Sequence, residues 1–352
     1  MRKLFSYIVA LGLGLTFLGT TWTGAVAEDF YKGKTIRFIV GYSPGGGYDT
    51  YTRAAARHIG RFIPGNPTPI VQNMTGGGSL IAANYIANRA KPDGLTVGVW
   101  NGGFVLQKVL GERKVRFDAT KIGWVGAPVK GFPTCAVMGF TGLKTIKDVL
   151  KSGKVLKMGA TRAGSTTDDL PKLLNQTLGT KFKIISGYRG TAMIRLAMQK
   201  GEIDGACWGW ESMSVTGRAM LDAKGDERLI PIVTQFNAND PEIAKLPQIT
   251  NLIKGKNKLS TFNAWVTTYQ FQRPLSLPPG TPKARLEILR KAYAATLKDP
   301  QFLKEAKKSR LIINYVSGPE IEKYVSIIQS TTAKARENLQ FLVKKPKKKK
   351  KK

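Results

Sequence analysis

Short apolar runs alternate with glycine turns and amphipathic segments along the first hundred residues of the chain. The β-branched run at 35–41 predicts a buried strand, and the helical periodicity that follows it ends before Pro64. The predicted elements are a strand at 35–41, a helix at 50–63, a strand at 68–73, a helix near 79–90 and a strand at 95–100. Because strand, glycine turn and helix repeat in this order, the pattern predicts an α/β fold with a parallel, doubly wound sheet.

A second set of strands and helices follows after residue 130. Strands are predicted at 135–138, 155–160, 182–187 and 203–208, and helices at 145–152, 170–179 and 191–200. Residues 261–271 have the composition of a long extended segment, and the remainder is predicted to be mainly helical. We therefore predict two doubly wound α/β domains joined by two crossing segments, near 130–136 and 260–266. Domain 1 combines 28–132 with 263–343, and domain 2 is 133–262.

The first residues predict export from the cytoplasm. Arg2 and Lys3 precede an apolar run at 7–18 that is too short for a stable membrane span. The small-x-small sequence that ends at Ala27 predicts a signal peptide, 1–27, cleaved after that residue. Glu28 follows instead of cysteine, which argues against a lipid anchor. We expect a periplasmic protein.

The formal net charge of +33 has to be corrected for both ends of the chain. Removing Arg2, Lys3 and the eight lysines within 344–352 leaves +23, so the folded part is still strongly basic. Export makes nucleic acid a poor partner, whereas a basic surface concentrates anionic solutes. The lysine-rich tail, 344–352, is either a disordered, solvated end or makes weak contact with anionic lipid.

Histidine and cysteine usage limits the possible chemistry. His58 is the single histidine, so a zinc site built on several histidines is ruled out, and we expect no metal, no cofactor and no enzymatic activity. Cys135 and Cys207 either pair in an oxidising compartment or remain two buried thiols, because their spacing alone does not decide between the two.

Three glycine- and hydroxyl-rich loops stand between a predicted strand and a predicted helix. Ligands of open parallel sheets bind at this edge, where glycines admit a ligand to the backbone and helix starts offer unpaired N–H groups. Asp49 either caps its helix or contacts the ligand. Arg162 is either a ligand contact or a solvated side chain, and Trp208 is either core or an aromatic wall of the site. The predicted ligand-binding residues are Tyr42, Ser43, Pro44, Gly45, Gly46, Gly47, Asp49, Asn101, Gly102, Ser165, Thr166, Thr167, Asp168, Tyr188, Arg189, Gly190, Thr191 and Trp208.

An ordered series of short motifs resembles the receptors of the tripartite tricarboxylate transporters, the Bug family. The motifs are Pro44-Gly45-Gly46 with Asp49, Asn73 before Gly76-Gly77-Gly78, Pro92-Asp93-Gly94, Gly164-Ser165, Tyr188-Arg189-Gly190, Gly201-Glu202-Ile203-Asp204 and Pro279-Gly280-Thr281-Pro282. The series extends over nearly the whole mature chain. Three positions depart from the family pattern: Gln72-Asn73-Met74 replaces Glu-Asn-Arg, Asp168 stands where histidine is frequent, and Tyr-Arg-Gly replaces Tyr-Lys-Gly.

The resemblance implies a type II periplasmic-binding-protein fold, the Venus flytrap, that closes on a small organic carboxylate. We expect the protein to be a monomer. The resemblance also implies membrane permease subunits as partners, with no catalytic turnover. A sensory receptor that presents the same class of ligand to a kinase or chemoreceptor remains the alternative function.

Overall fold

The structure is a computed structural model that describes residues 30–236 and 240–343. The predicted signal peptide, its cleavage after Ala27 and the lysine-rich tail lie outside these residues. Within the described part of the chain, no helix combines the length and the apolar character needed to cross a membrane.

Eleven strands are present in the described residues. They are β1 (Thr35–Val40), β2 (Thr68–Asn73), β3 (Thr96–Val99), β4 (Gly123–Ala127), β5 (Pro133–Met138), β6 (Leu156–Ala160), β7 (Phe182–Ser186), β8 (Gly205–Gly209), β9 (Leu229–Thr234), β10 (Leu275–Leu277) and β11 (Val316–Ser317).

The helices cover both sheets. They are α1 (Gly47–Ile59), α2 (Leu80–Asn88), α3 (Phe104–Val109), α4 (Ile146–Ser152), α5 (Thr166–Leu178), α6 (Thr191–Gln199), α7 (Trp210–Thr216), α8 (Arg218–Asp222), α9 (Pro241–Ala244), α10 (Ile249–Leu252), α11 (Lys256–Val266), α12 (Lys283–Thr296), α13 (Pro300–Lys308), α14 (Gly318–Gln329) and α15 (Ala333–Leu339).

The strands form two separate mixed sheets. The first has the order β11-β4-β10-β3-β1-β2, and the second has the order β7-β6-β8-β5-β9. Strand β1 is parallel to β2 and β3, as the repeated glycine-turn units predict. Strand β10, however, is antiparallel to β3 and β4, and β5 is antiparallel to β8 and β9. The two α/β units are confirmed, and each sheet gains antiparallel strands where the chain returns from the other unit.

The prediction of an extended segment at 261–271 is wrong. Helix α11 ends at Val266 and a short 3₁₀ turn follows at Thr267–Gln270. Phe262 and Trp265 are three residues apart on α11, and both are buried. Since residues at this spacing lie on one helix face, aromatic and β-branched residues fit a helix here as well as a strand.

Two crossing segments connect the sheets and pair with each other. The chain leaves the first sheet after β4 and enters the second at β5, and it returns between α11 and β10. Gln272 donates its N–H to the carbonyl of Val129 at 3.0 Å, and Gly131 donates to the carbonyl of Tyr269 at 2.7 Å. These bonds pair residues 269–272 of the returning chain with residues 129–131 of the outgoing chain. The domain boundaries themselves stay a prediction.

A disulfide joins two neighbouring strands of the second sheet. Cys135 of β5 lies opposite Cys207 of β8 in the antiparallel register, with the two Cα atoms 4.0 Å apart. The structure thus decides between the two alternatives left open by the sequence, in favour of pairing.

Candidate functional site

A buried cavity lies between the two sheets, at the carboxyl ends of β1, β6 and β8. Its wall consists of Tyr42, Gly46, Gly47, Tyr48, Asn101, Thr161, Ser165, Thr166, Thr167, Thr191, Trp208, Gly209, Glu211, Ser212, Gln272 and Arg273. The cavity volume that the centre of a water molecule can occupy is about 50 Å³. One water needs roughly 10–15 Å³ on this measure, so the cavity has room for a few waters or a small solute.

Helix α1 begins at the cavity without a capping side chain. Its N-cap residue is Gly46, which has no side chain to accept a hydrogen bond. Within the described residues, no side-chain cap hydrogen bond is made at this helix start. Asp49, in the first turn, accepts instead from the Gly45 N–H at 3.0 Å, from Arg53 at 3.0 Å and from Asn73 at 2.9 Å. Burial opposes ionisation, but these donors outweigh it and lower the pKa of Asp49. Asp49 therefore fixes the loop, and the first N–H groups of α1 face the cavity region.

Helix α5 begins at the opposite side of the cavity. Its N-cap residue is Ser165, whose hydroxyl makes no cap hydrogen bond and donates to the carbonyl of Arg162 at 2.6 Å. Thr161 donates to the Ser165 hydroxyl at 2.9 Å, and the Thr167 hydroxyl accepts from the Thr161 N–H at 3.0 Å. The hydroxyls of this loop are thus hydrogen-bonded to one another and to the backbone. Within the described residues, no N-cap side chain accepts a hydrogen bond from the first N–H groups of α5.

Helix α6 supplies a third uncapped start. Gly190 is its N-cap residue, again without a side-chain cap, and Thr191 is its first residue and part of the cavity wall. A Cβ at Gly46 would lie 3.3 Å from the Thr191 hydroxyl, so the starts of α1 and α6 are close neighbours across the cleft.

Direct contacts between the two sheets' loops hold the cleft closed. Asn101 donates to the carbonyl of Gly164 at 2.6 Å, and this bond is buried. Ser43 donates its N–H to the carbonyl of Arg189 at 3.3 Å. Arg162 pairs with Glu112 at 3.3 Å across the same cleft. The cavity is accordingly enclosed from both sides.

A buried ion pair that the sequence analysis missed forms part of the wall. The Arg273 guanidinium and the Glu211 carboxylate are 2.9 Å apart, and the two residues are 3% and 1% exposed. The second carboxylate oxygen of Glu211 accepts from the Phe132 N–H at 3.0 Å. Arg273 belongs to one crossing segment and Phe132 to the other, so the pair joins both crossings beside the cavity.

The tyrosines of the wall are neutral hydrogen-bonding groups. Burial raises the pKa of Tyr42 to about 12 and raises the pKa of Tyr48 further. Both phenols therefore keep their protons at neutral pH, so they add no negative charge that would repel an anion.

The structure brings nine of the eighteen predicted ligand-binding residues into the wall: Tyr42, Gly46, Gly47, Asn101, Ser165, Thr166, Thr167, Thr191 and Trp208. The other nine lie beside or behind it: Ser43, Pro44, Gly45, Asp49, Gly102, Asp168, Tyr188, Arg189 and Gly190. Asp168 is paired with Lys172 and accepts from Ser186 at 2.7 Å, and the Arg189 side chain is exposed. Ligand contact by any of the eighteen stays a prediction.

Some residues of the cavity wall were not predicted from the sequence, and they differ in whether a sequence pattern could have revealed them. Gly209, Glu211 and Ser212 follow strand β8 in another strand-to-helix turn, so the reasoning used for the other loops would have found them. Gln272 and Arg273 carry no local motif, because only the return of the chain from the second sheet places them at the cavity. Among the described residues, no group of three or more His, Cys, Asp or Glu side chains could hold a metal ion.

No protein-family model matches the chain. In sequence it is similar to a UPF0065 protein of Agrobacterium vitis, encoded in the TAR-I ttuE-ttuC' intergenic region, with 27% identity over 311 residues, 86% of this chain and 82% of that protein. A UPF0065 protein of Bordetella pertussis is 27% identical over 285 residues, 78% of this chain and 80% of that one.

Solved structures with the same fold include the periplasmic binding protein BugD. BugD matches with a TM-score of 0.69 at 20% identity, over 89% of this chain and 99% of that structure. Rpa4515 of R. palustris, solved with adipate, matches with 0.69 at 17% identity, over 87% and 97%. MatC of Rhodopseudomonas palustris, solved with bound malate, matches with 0.68 at 18% identity, over 87% and 99%.

Two sheets with paired crossings and a cavity between them define a type II periplasmic-binding-protein fold, which confirms the predicted fold class. Within that class, the structural relatives include BugD and a TctC solute-binding protein from Polaromonas, which matches with a TM-score of 0.58 at 18% identity over 89% of this chain and 99% of that one. The sequence relatives are UPF0065 proteins. The resemblance inferred from the motif series is thereby confirmed.

Proposed function

We propose that this chain is a periplasmic solute-binding protein that captures a small organic carboxylate between its two lobes and delivers it to a tripartite tricarboxylate-type membrane transporter. The observation that carries the proposal is the convergence of three uncapped helix starts, those of α1, α5 and α6, on one buried cavity. Helix α1 follows a strand of the first sheet, whereas α5 and α6 follow strands of the second.

The physical basis is anion capture by backbone N–H groups. Each helix start offers unpaired donors and the positive end of the helix dipole. Hydrogen bonds to a charged group contribute roughly 1.5–3 kcal/mol each, and three or four of them give micromolar affinity after the cost of association. Because the donors belong to both lobes, an anion stabilises the closed form over the open one.

The named relatives support the ligand class. Two solved structures with the same fold are described with adipate and with bound malate, which are both carboxylates. Transfer of the ligand to permease subunits rests on the family resemblance and is part of the proposal.

A thermal-shift screen over mono-, di- and tricarboxylates, including aromatic ones, tests the proposal. A ligand present at one hundred times its dissociation constant adds about 2.7 kcal/mol and raises the melting temperature by a few degrees. Chloride, sulfate and uncharged amides of the same acids serve as controls. Absence of a shift with every carboxylate would contradict the proposal. Delivery is tested with the ligand so found, as uptake that requires both this chain and the membrane subunits.

A further inference from the structure

A second pocket lies outside the cavity between the sheets, and the two have no wall residue in common. Its wall is formed by the start of α7, by α8, by the segment from α8 into β9, by Glu242 of α9 and by Arg310. The centre of a water molecule has about 560 Å³ available to it there, compared with about 50 Å³ in the cavity. Since pockets for small organic ligands measure roughly 300–1,000 Å³, this one has room for an organic molecule.

Basic side chains outnumber acidic ones in the wall of this second pocket. The four cations are Arg218, Lys224, Arg228 and Arg310, and the two carboxylates are Asp222 and Glu242, so these side chains sum to +2. Both carboxylates pair with Arg218, each at 2.8 Å. Among the residues that the structure describes, no carboxylate forms an ion pair with the other three cations. Their charge is therefore available to an anion.

Two of these cations are exposed arginines whose backbone is held beside the pocket. Arg228 donates its N–H to the carbonyl of Gly225 at 3.2 Å, and its own carbonyl accepts from the Gly139 N–H at 2.7 Å. Arg310 donates its N–H to the carbonyl of Lys307 at 3.1 Å. A guanidinium binds a carboxylate or a phosphate through two parallel hydrogen bonds. Arginines at fixed points of the wall therefore suit anionic oxygens.

The same wall also contains apolar residues. Ala223 and Pro231 are half-buried and Leu221 is almost buried, while Trp210 and Leu229 are fully buried. An inorganic anion is too small to fill the pocket and gains nothing from these residues. An organic anion buries part of its hydrocarbon surface against them, and the burial of apolar surface favours binding.

Arg310 comes from a different lobe than the rest of the wall. It follows α13, which packs on α1 beside the first sheet, whereas the other wall residues lie between the start of α7 and α9, next to the second sheet. The hydroxyl of Tyr51, on α1, lies 3.1 Å from the carbonyl oxygens of both Glu211 and Ile312, and it accepts from the Ile312 N–H at 3.0 Å. The segment that carries Arg310 is thereby tied to the start of α7.

We infer that this pocket is a second ligand site, for an organic anion with two negative charges, in which Arg228 of one lobe and Arg310 of the other bind the same molecule. The surplus of two positive charges matches two negative charges on the ligand, and the volume and the apolar residues match an organic body. The inference is independent of the proposed carboxylate site, because the two pockets have no wall residue in common.

Calorimetry with five probes tests the ligand class. Phenyl phosphate and phthalate are organic dianions at about pH 8, benzenesulfonate carries one charge, benzamide carries none, and methyl phosphate lacks the ring. At least one of the two organic dianions binds, and benzenesulfonate and methyl phosphate bind about tenfold more weakly, the effect of one lost interaction. No binding by either organic dianion would overturn the inference, and so would equal affinity for benzamide or for methyl phosphate.

Substitution of the two arginines locates the binding site of the dianion. Arg228→Gln and Arg310→Asn each remove one charge-assisted bond, so each lowers the affinity for the organic dianion by about tenfold. Asparagine is chosen at position 310 because it tolerates the positive φ of +55° there. Arg113→Gln is the matched control, since Arg113 is exposed, lies outside the wall and loses the same charge. Urea denaturation confirms that all three variants fold as the parent does.

The pattern of losses decides between the possible sites. A dianion that binds in the cavity between the sheets keeps its parental affinity in Arg228→Gln and in Arg310→Asn, which would overturn the inference. A loss in Arg113→Gln as large as in the other two variants would overturn it as well, because only the net charge would then matter. A loss in Arg228→Gln alone would overturn the contact with both lobes.

Discussion

At the scale of single residues, glycines at the cleft set how closely the two lobes approach. Gly103, the N-cap residue of α3, is in ordinary right-handed backbone conformation, with φ −58° and ψ −18°. Any residue can adopt this conformation, so the backbone conformation alone does not require a glycine here. A Cβ at this position would overlap the carbonyl oxygen of Gly164 in the other lobe, the same oxygen that accepts from Asn101. A glycine is needed at position 103 because the closed cleft leaves no room for a Cβ atom beside the Gly164 carbonyl.

Gly103→Ala should accordingly weaken ligand binding without weakening the free protein. The added methyl group meets backbone, which cannot rotate away, so closure is incomplete and affinity falls by about tenfold, or 1.4 kcal/mol. Stability without ligand is unchanged or slightly higher, because alanine restricts the unfolded chain. Calorimetry with the ligand found by screening and urea denaturation without it measure the two effects.

Gly46→Ala provides a graded comparison for this substitution. There the added Cβ would lie 3.3 Å from the Thr191 hydroxyl, a side-chain atom that can move. A smaller loss of affinity is expected than for Gly103→Ala. Parental affinity in Gly103→Ala would show that the lobes need not approach this closely around the ligand.

At the scale of elements, the start of α5 is held by a buried carboxylate. Asp169 accepts from the Gly164 N–H at 2.9 Å and from the Trp265 indole, on α11, at 3.4 Å. Burial, and after it the neighbouring Asp168, raise the pKa of Asp169 to about 7, although the Gly164 N–H and Lys172 act in the opposite direction. Asp169 thus links the loop at Gly164 to α11 through a carboxyl group whose pKa is raised to about 7.

The sign of the resulting pH dependence follows from linkage. The folded protein binds the Asp169 proton more tightly than the unfolded chain does, whose value is near 3.8. This contribution to stability is complete below the unfolded value and is lost as the pH rises towards about 7. Asp169→Asn should remove that dependence, so its stability relative to the parent is higher at about pH 8 than at about pH 5. Urea denaturation across this range measures it, and parallel curves for the two proteins would contradict it.

The elements that the sequence predicted well are those whose signals are local. Strands β1 and β2 and the helices after the glycine turns follow from β-branched runs and from glycines beside them. Residues 261–271 were misassigned because Phe262 and Trp265 satisfy either a strand or one face of a helix. The packing of α11 between α5 and α15 decides between the two, and no local pattern contains that information.

The same distinction holds for the site. The places of Gly46, Ser165 and Thr191 in the cavity wall could be predicted because a strand-to-helix turn is visible in the sequence. The place of Arg273 could not, because its position beside Glu211 depends on a chain crossing that joins residues 62 positions apart. Arg189 was expected at the ligand and its side chain is exposed, since the loop turns its carbonyl towards Ser43 instead.

At the scale of the whole molecule, the chain carries a strong net positive charge, whereas the two charged side chains of the cavity wall, Arg273 and Glu211, cancel each other. Residues 28–343 carry a formal net charge of +23, after removal of Arg2, Lys3 and the eight lysines of the tail from +33. Under the proposed function, long-range attraction therefore acts on the approach of an anion, whereas the uncapped helix starts act on the anion once it is bound. The first effect is screened by salt over about 8 Å at physiological ionic strength, and the buried contacts are screened much less.

Ionic strength should consequently change association and not dissociation. We expect the bimolecular association rate constant to fall as salt rises, more steeply for a dicarboxylate than for its terminal-hydroxyl analogue, because the attraction scales with ligand charge. The dissociation rate constant should stay nearly constant, since the closed cleft excludes the salt. Stopped-flow fluorescence, with Trp208 in the cavity wall as the reporter, measures both constants at low ligand concentration. Equal salt slopes for the two ligands would show that the basic surface does not steer them and that the charge of the lobes serves another contact.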